Sequence, residues 1–190
     1  MKRWKTLKIM ENIAKISDKK NQTIILTGMM GAGKSTVGSV LAKKLKLGFI
    51  DLDTLIEKEQ KLAIPEIFKL YGEEKFRDLE CKTICGIEPG KRLVISTGGG
   101  IVESKRNIEK LRQIGRIYYL YAPFEVLYER IKDDTKRPLL MTKDPKNTLK
   151  EILKRRSVRY ECADFKINTE NKTAKEIVDE IIEIYEKINS

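Results

Sequence analysis

Gly28-Met29-Met30-Gly31-Ala32-Gly33-Lys34-Ser35 is the stretch that decides the fold. It fits G-x-x-x-x-G-K-[ST], the phosphate-binding P-loop. Its flanks agree: residues 23–27 read as a short buried strand and residues 34–46 as a helix. A glycine-rich turn between strand and helix lets successive backbone N–H groups converge on an anion. The helix N-terminus adds partial positive charge at the same place. Gly31, Ala32, Gly33, Lys34, Ser35 and Thr36 are therefore the candidate phosphate contacts. Lys34 is expected to reach the terminal phosphates, and the Ser35 hydroxyl to ligate Mg²⁺.

Outward from this loop, strands and helices alternate. Strands are expected at 23–27, 49–51, 93–96, 117–120 and 164–167. Helical patterns fill 34–46, 53–60, 64–71, 73–87, 104–114, 123–131, 147–160 and 173–188. Short apolar strands separated by helices predict an α/β fold with a parallel sheet covered on both faces. Such sheets bind ligands beyond the carboxyl ends of their strands. Residues 133–145 break the alternation, with no clear period and two prolines, and predict a lid at about 132–147. Residues 1–20 form a basic extension in which Trp4, Leu7, Met10, Ile13 and Ile16 recur at helical spacing. Residues 21–190 form one domain.

Bulk properties narrow the function. The net charge of +11 comes from 39 Lys and Arg against 28 Asp and Glu. The lysines are spread along almost every segment without an aromatic platform, which favours a solvated surface over a nucleic-acid footprint. Three cysteines, Cys81, Cys85 and Cys162, do not make a disulfide framework, and a chain without His offers little for zinc. Buried free thiols are expected. The chain shows no run of membrane-spanning length and no apolar stretch behind its basic start, so a cytoplasmic protein is expected.

Further candidate chemistry follows the strands. Asp51 and Asp53 come after the second strand, and alternation would point both toward the mouth of the sheet. One carboxylate would hold Mg²⁺, while the other would accept a hydrogen bond from an attacking hydroxyl. A helix N-cap with a first-turn acid is the structural alternative, and it suits Asp53. Gly98, Gly99 and Gly100 end the third strand and allow close approach of a ligand. Arg77, Arg137 and Arg156 together suit a small anionic acceptor, because a guanidinium grips carboxylate by two parallel bonds. An arginine on a lid would also stabilise a transferred phosphoryl group.

In this order and spacing, Gly28–Ser35, Asp51-Leu52-Asp53, Gly72–Asp78, Gly98-Gly99-Gly100, Lys136–Leu140 and Arg156-x-x-x-Tyr160 resemble shikimate kinase over residues 23–188. The resemblance implies a three-layer P-loop kinase fold of the nucleoside-monophosphate-kinase type, with a five-stranded parallel sheet and a mobile lid. It implies transfer of the γ-phosphate of ATP to the 3-hydroxyl of shikimate, with Mg²⁺, on the route to chorismate. It implies that Asp53 contacts the acceptor hydroxyls, that Arg77 and Arg156 grip the carboxylate, and that Phe68 and Phe76 pack against the ring. Gly98 to Gly100 would line the same pocket. Lys34 and Arg137 would contact phosphates, Ser35 would ligate the metal with Asp51 behind it, and Arg130 would pack on adenine near Asn168-Thr169-Glu170. The catalytic set is then Lys34, Asp53 and Arg137. The partners implied are ATP and shikimate, with neither nucleic acid nor membrane, for a protein expected to be monomeric.

Two departures stand out. Residues 1–20 have no counterpart in short family members. Ser157-Val158-Arg159 replaces the more usual Asn-Pro-Leu, which loses a proline and adds a charge. Three other readings stay open on sequence: a gluconate kinase of the same fold, a nucleotide-binding regulator without catalysis, and a nucleic-acid binder suggested by charge alone.

Overall fold

The computed structural model describes residues 22–134 and 137–189. The extension at 1–20, with its helical pattern from Trp4 to Ile16, lies outside the described residues, as do Thr135 and Lys136 of the lid segment.

Five strands form one parallel sheet: β1 (Ile24–Thr27), β2 (Gly48–Asp51), β3 (Leu93–Ser96), β4 (Arg116–Tyr121) and β5 (Phe165–Asn168), in the order β2-β3-β1-β4-β5. Seven α-helices flank it: α1 (Lys34–Leu45), α2 (Leu52–Gln60), α3 (Ile64–Cys85), α4 (Lys105–Ile114), α5 (Phe124–Ile131), α6 (Pro145–Tyr160) and α7 (Ala174–Asn189). Short 3₁₀ turns occupy Ile101–Glu103 and Pro138–Leu140. The predicted alternation is present throughout, and the fold is the three-layer P-loop kinase fold. Its central strand reads as an unbroken apolar run because Ile24, Ile25 and Leu26 are wholly buried. The edge strand β2 departs from that rule. Phe49 keeps 38% of its surface exposed, since an edge strand has a neighbour on one side only.

Two breaks in regularity shape the acceptor end. Residues 64–71 and 73–85 are two helical runs of α3 joined at Gly72, whose φ of 79° interrupts the helix. Helix α6 starts at Pro145, capped by the Asp144 side chain on the N–H of Asn147, so the expected lid ends sooner than its prolines suggested. Pro at a helix N1 position starts a helix as readily as it breaks one. Within the lid segment, Leu140 is buried and roots the 3₁₀ turn in the core.

The sheet register positions the site. Asp51 pairs with Ser96, and Ser96 with Leu26, so the carboxyl ends of β2, β3 and β1 lie level. The loops that leave these ends share one rim. Cys81, Cys85 and Cys162 are free thiols, but Cys85 is exposed and the other two are half-buried, contrary to expectation. They sit on helix faces and ends that the core does not reach.

Candidate active site

The loop after β1 folds around its own lysine. Lys34 Nζ donates to the carbonyls of Gly28 (2.9 Å) and Met29 (3.1 Å) and is buried. Burial lowers its pKa to about 8, aided by Arg137 and Arg156, while Asp53 and Asp51 oppose the shift. Ser35 Oγ donates to Asp51 Oδ2 at 2.6 Å and lies 3.3 Å from Ser96 Oγ. Asp51 also caps α2, its Oδ1 accepting the N–H of Thr54 at 3.2 Å. The cap is thus Asp51, with Asp53 the first-turn acid. Strand alternation does not relate the two acids, because the strand stops at Asp51 and α2 begins at Leu52. Asp53 reaches the rim from the first helical turn instead.

A cavity of about 300 Å³ opens above this loop, lined by Gly31, Gly33, Lys34, Ser35, Thr36, Arg130 and Arg137 among others. Ala32 does not line it: its side chain is buried and its N–H closes a turn onto the Met29 carbonyl at 3.1 Å. Arg130 donates to the Gly31 carbonyl at 3.3 Å, and to Thr169 Oγ1 and the Thr169 carbonyl at 3.1 and 2.9 Å. It thereby ties the loop to the segment after β5.

A second cavity, of about 590 Å³, adjoins the first. Phe68, Phe76, Arg77, Gly98, Gly99, Gly100 and Arg156 all line it. The two cavities share Met30, Asp53, Gly99 and Arg137. The phenylalanine rings lie 4.9 Å apart, centroid to centroid. Arg77 donates to Glu80 Oε2 and Glu73 Oε1, both at 2.7 Å. Gly100 lets the Arg77 guanidinium lie against the turn, where a Cβ would overlap it. Arg156 is fully buried and donates through Nε and Nη2 to Glu103 Oε2 at 3.0 and 2.6 Å. One turn on, Tyr160 donates to the Gly99 carbonyl at 2.5 Å and stacks on Tyr119 at 4.8 Å. This hydroxyl pins the glycine turn to α6.

Two carboxylate oxygens in this cavity wall, Asp53 Oδ1 and Glu80 Oε1, are buried without a protein hydrogen-bond partner. They meet at Gly98, where a Cβ would lie 2.8 Å from the first and 2.5 Å from the second. Burial raises both pKa values, Glu80 to about 6, against the opposing charges of Lys34 on Asp53 and Arg77 on Glu80. Buried polar atoms are nearly always satisfied. A pair left open beside a cavity is a place for ligand hydroxyls.

Glu80 and Glu103 were not singled out from sequence. Glu80 had a readable signal, three residues after Arg77 in a predicted helix. Glu103 had none, since its partner Arg156 is 53 residues away. Arg137, the expected lid arginine, touches both cavities and donates to Asp134 Oδ2 at 2.8 Å. Among the described residues no helix is long and apolar enough to cross a membrane.

The family model for shikimate kinase matches residues 30–186. A shikimate kinase of Thermodesulfovibrio yellowstonii is 44% identical, the match covering 89% of this chain and 98% of the relative. One from Persephonella marina is 44% identical over 85% of this chain and 97% of its own length. Among solved structures, the shikimate kinase from Acinetobacter baumannii in complex with shikimate matches with a TM-score of 0.83 and 37% identity, covering 91% of this chain and 96% of that one. Fold, paired cavities and these likenesses agree: the chain belongs to the shikimate kinase family.

Proposed function

We propose that this protein transfers the γ-phosphoryl group of ATP to the 3-hydroxyl of shikimate, giving shikimate 3-phosphate and ADP for aromatic amino-acid biosynthesis. One observation carries the residue assignment: the loop cavity and the arginine-lined cavity meet at Asp53, Gly99 and Arg137. A triphosphate over the P-loop would therefore end where an acceptor held by Arg77 and Arg156 presents its hydroxyl. The paired arginines suit a carboxylated acceptor, and the Phe68 and Phe76 rings in the same cavity favour a cyclic one over the open chain of gluconate, which is also a carboxylate.

Phosphoryl transfer asks for alignment and charge compensation more than covalent work. Lys34 would leave the Gly28 and Met29 carbonyls for the phosphate oxygens. Asp53 Oδ1, open and facing the junction, would accept the hydrogen bond of the attacking hydroxyl and orient it. Its raised pKa suits a carboxyl that receives that proton. Arg137 would bring its charge to the transferred group from the lid between α5 and α6, whose closure would exclude water. Phe68 and Phe76 would cover the ring, and Arg130 the adenine. The oxygens of Ser35 and Asp51, 2.6 Å apart, fit Mg²⁺, which takes one or two protein oxygens together with substrate phosphates. When bound, that ion would offset the negative charge of the phosphates.

A monomer whose partners are ATP and shikimate completes this reading. Use of ATP as donor supports the cytoplasm as its place. The direct test is ADP release in a coupled assay with shikimate, with gluconate and with no acceptor. Release is expected with shikimate alone. Equal release with gluconate, or none with either, would overturn the proposal.

A further inference from the structure

The geometry points to Glu103 as a positioning residue that aims Arg156 at the acceptor carboxylate, an inference that rests on the function proposed above. Glu103 stands in the 3₁₀ turn immediately after the glycine triplet and gathers four arginines. Its Oε2 accepts both Nε and Nη2 of Arg156, and Arg77 Nη2 lies 3.9 Å from the same oxygen. Its Oε1 pairs with Arg155 Nε at 2.7 Å, and its carbonyl accepts Arg159 Nη1 at 2.6 Å. Both arginines assigned to the acceptor carboxylate thus face one protein carboxylate. Burial would raise the Glu103 pKa, but Arg156, Arg155 and Arg77 hold it below the usual range, so it stays charged.

Arg156 needs that charge. It is wholly buried, and a buried guanidinium without a counter-ion seeks another. An open candidate is the unpartnered Glu80 Oε1, which borders the same cavity and feels the charge of Arg156. Held by Glu103, the guanidinium keeps two of its nitrogens occupied and leaves Nη1 beside Gly99. Released, it would turn from the acceptor carboxylate toward Glu80. The substituted segment Ser157-Val158-Arg159 belongs to this device. Helix α6 runs unbroken through it, and Arg159 ties the turn that carries Glu103 back to the helix that carries Arg156.

The test is Glu103→Gln in the full chain, read by kcat and KM for shikimate, by kcat/KM for the carboxamide analogue of shikimate, and by ATP affinity in calorimetry. The expected result is a shikimate KM raised about tenfold, with kcat and ATP affinity within about twofold of the native protein. The carboxamide, which lacks the charge that Arg156 binds, should be used equally well by both proteins. An unchanged or lowered shikimate KM overturns the proposal, and so does an equal loss with the carboxamide. Should E103Q fail to fold, Arg159→Leu carries the test from an exposed position. A shikimate KM raised about threefold without a matching loss for the carboxamide supports it, and no rise overturns it. A native protein that releases no ADP with shikimate sinks the proposed function instead, whatever these variants do.

Discussion

The two halves of the site are built by different means. The donor half comes from residues 28–36 together with Asp51, and its backbone makes most of its geometry: carbonyls of Gly28 and Met29 hold Lys34. The acceptor half draws on α2, α3, the glycine turn and α6, and side chains make its geometry: Glu73, Glu80 and Glu103 hold the arginines. A backbone cradle specifies itself wherever its sequence occurs. A side-chain cradle depends also on carboxylates, Glu80 and Glu103, that lie outside the contiguous motifs.

If that contrast is right, damage should stay within its half. The largest effect is expected from Lys34→Ala. Removing one pre-placed charge at a developing transition state costs about 10²–10³-fold in turnover, and here shikimate KM should change little. Steady-state kinetics in both substrates checks this. A variant with native kcat removes Lys34 from the chemistry. Next in size is Gly100→Ala, whose Cβ would overlap the Arg77 guanidinium and push it from its place without deleting any charge. Shikimate KM should rise about tenfold, the cost of one displaced charge-assisted contact, with ATP KM unchanged. An equal rise in both would show that the halves are one rigid unit.

The same contrast explains what the sequence disclosed. The loop, its strand and its helix were legible because local rules decide them. The order of motifs located Arg77, Arg156 and the glycine turn, and the structure brings them to one cavity. Glu103 stayed invisible, since nothing local links residue 103 to residue 156. Asp51 was not read as the cap because α2 starts at Leu52, one residue before the expected start, which leaves Asp51 at the cap and Asp53 in the first turn. Arginines that look like surface charge one at a time can be wholly buried, as Arg156 is, once a carboxylate from another element meets them.

The pH dependence sharpens the donor half. Free Lys34, lowered to about 8 by burial, is charged below that pH and loses its proton above it. Phosphates beside it favour the charged form, so the complex keeps the proton to higher pH. ATP affinity should therefore be flat below pH 8 and fall as pH rises beyond it, by at most about tenfold per unit. Calorimetry in two buffers of different ionisation enthalpy should register proton uptake on binding at about pH 9 and none at about pH 7. The lysine enters the complex with more protons than it holds when free, which fixes the sign. No uptake at the higher pH would mean that Lys34 does not meet the phosphates.

Tyr160 offers the smallest effect and the finest cut between the halves. Its ring belongs to the core, stacked on Tyr119, while its hydroxyl belongs to the site, bonded to the Gly99 carbonyl. Tyr160→Phe keeps the ring and removes only the bond. The half-buried Gly99 carbonyl then loses its donor, which should lower stability by about 1 kcal/mol, readable in thermal or denaturant unfolding. Gly99 borders both cavities, but the acceptor arginines pack on the glycine turn while Lys34 is held by carbonyls of its own loop. A freed turn should thus raise shikimate KM by about two- to threefold and leave ATP KM alone. If stability falls and both KM values hold, the hydroxyl serves the core only, and the turn is fixed by its own backbone, as the donor half is.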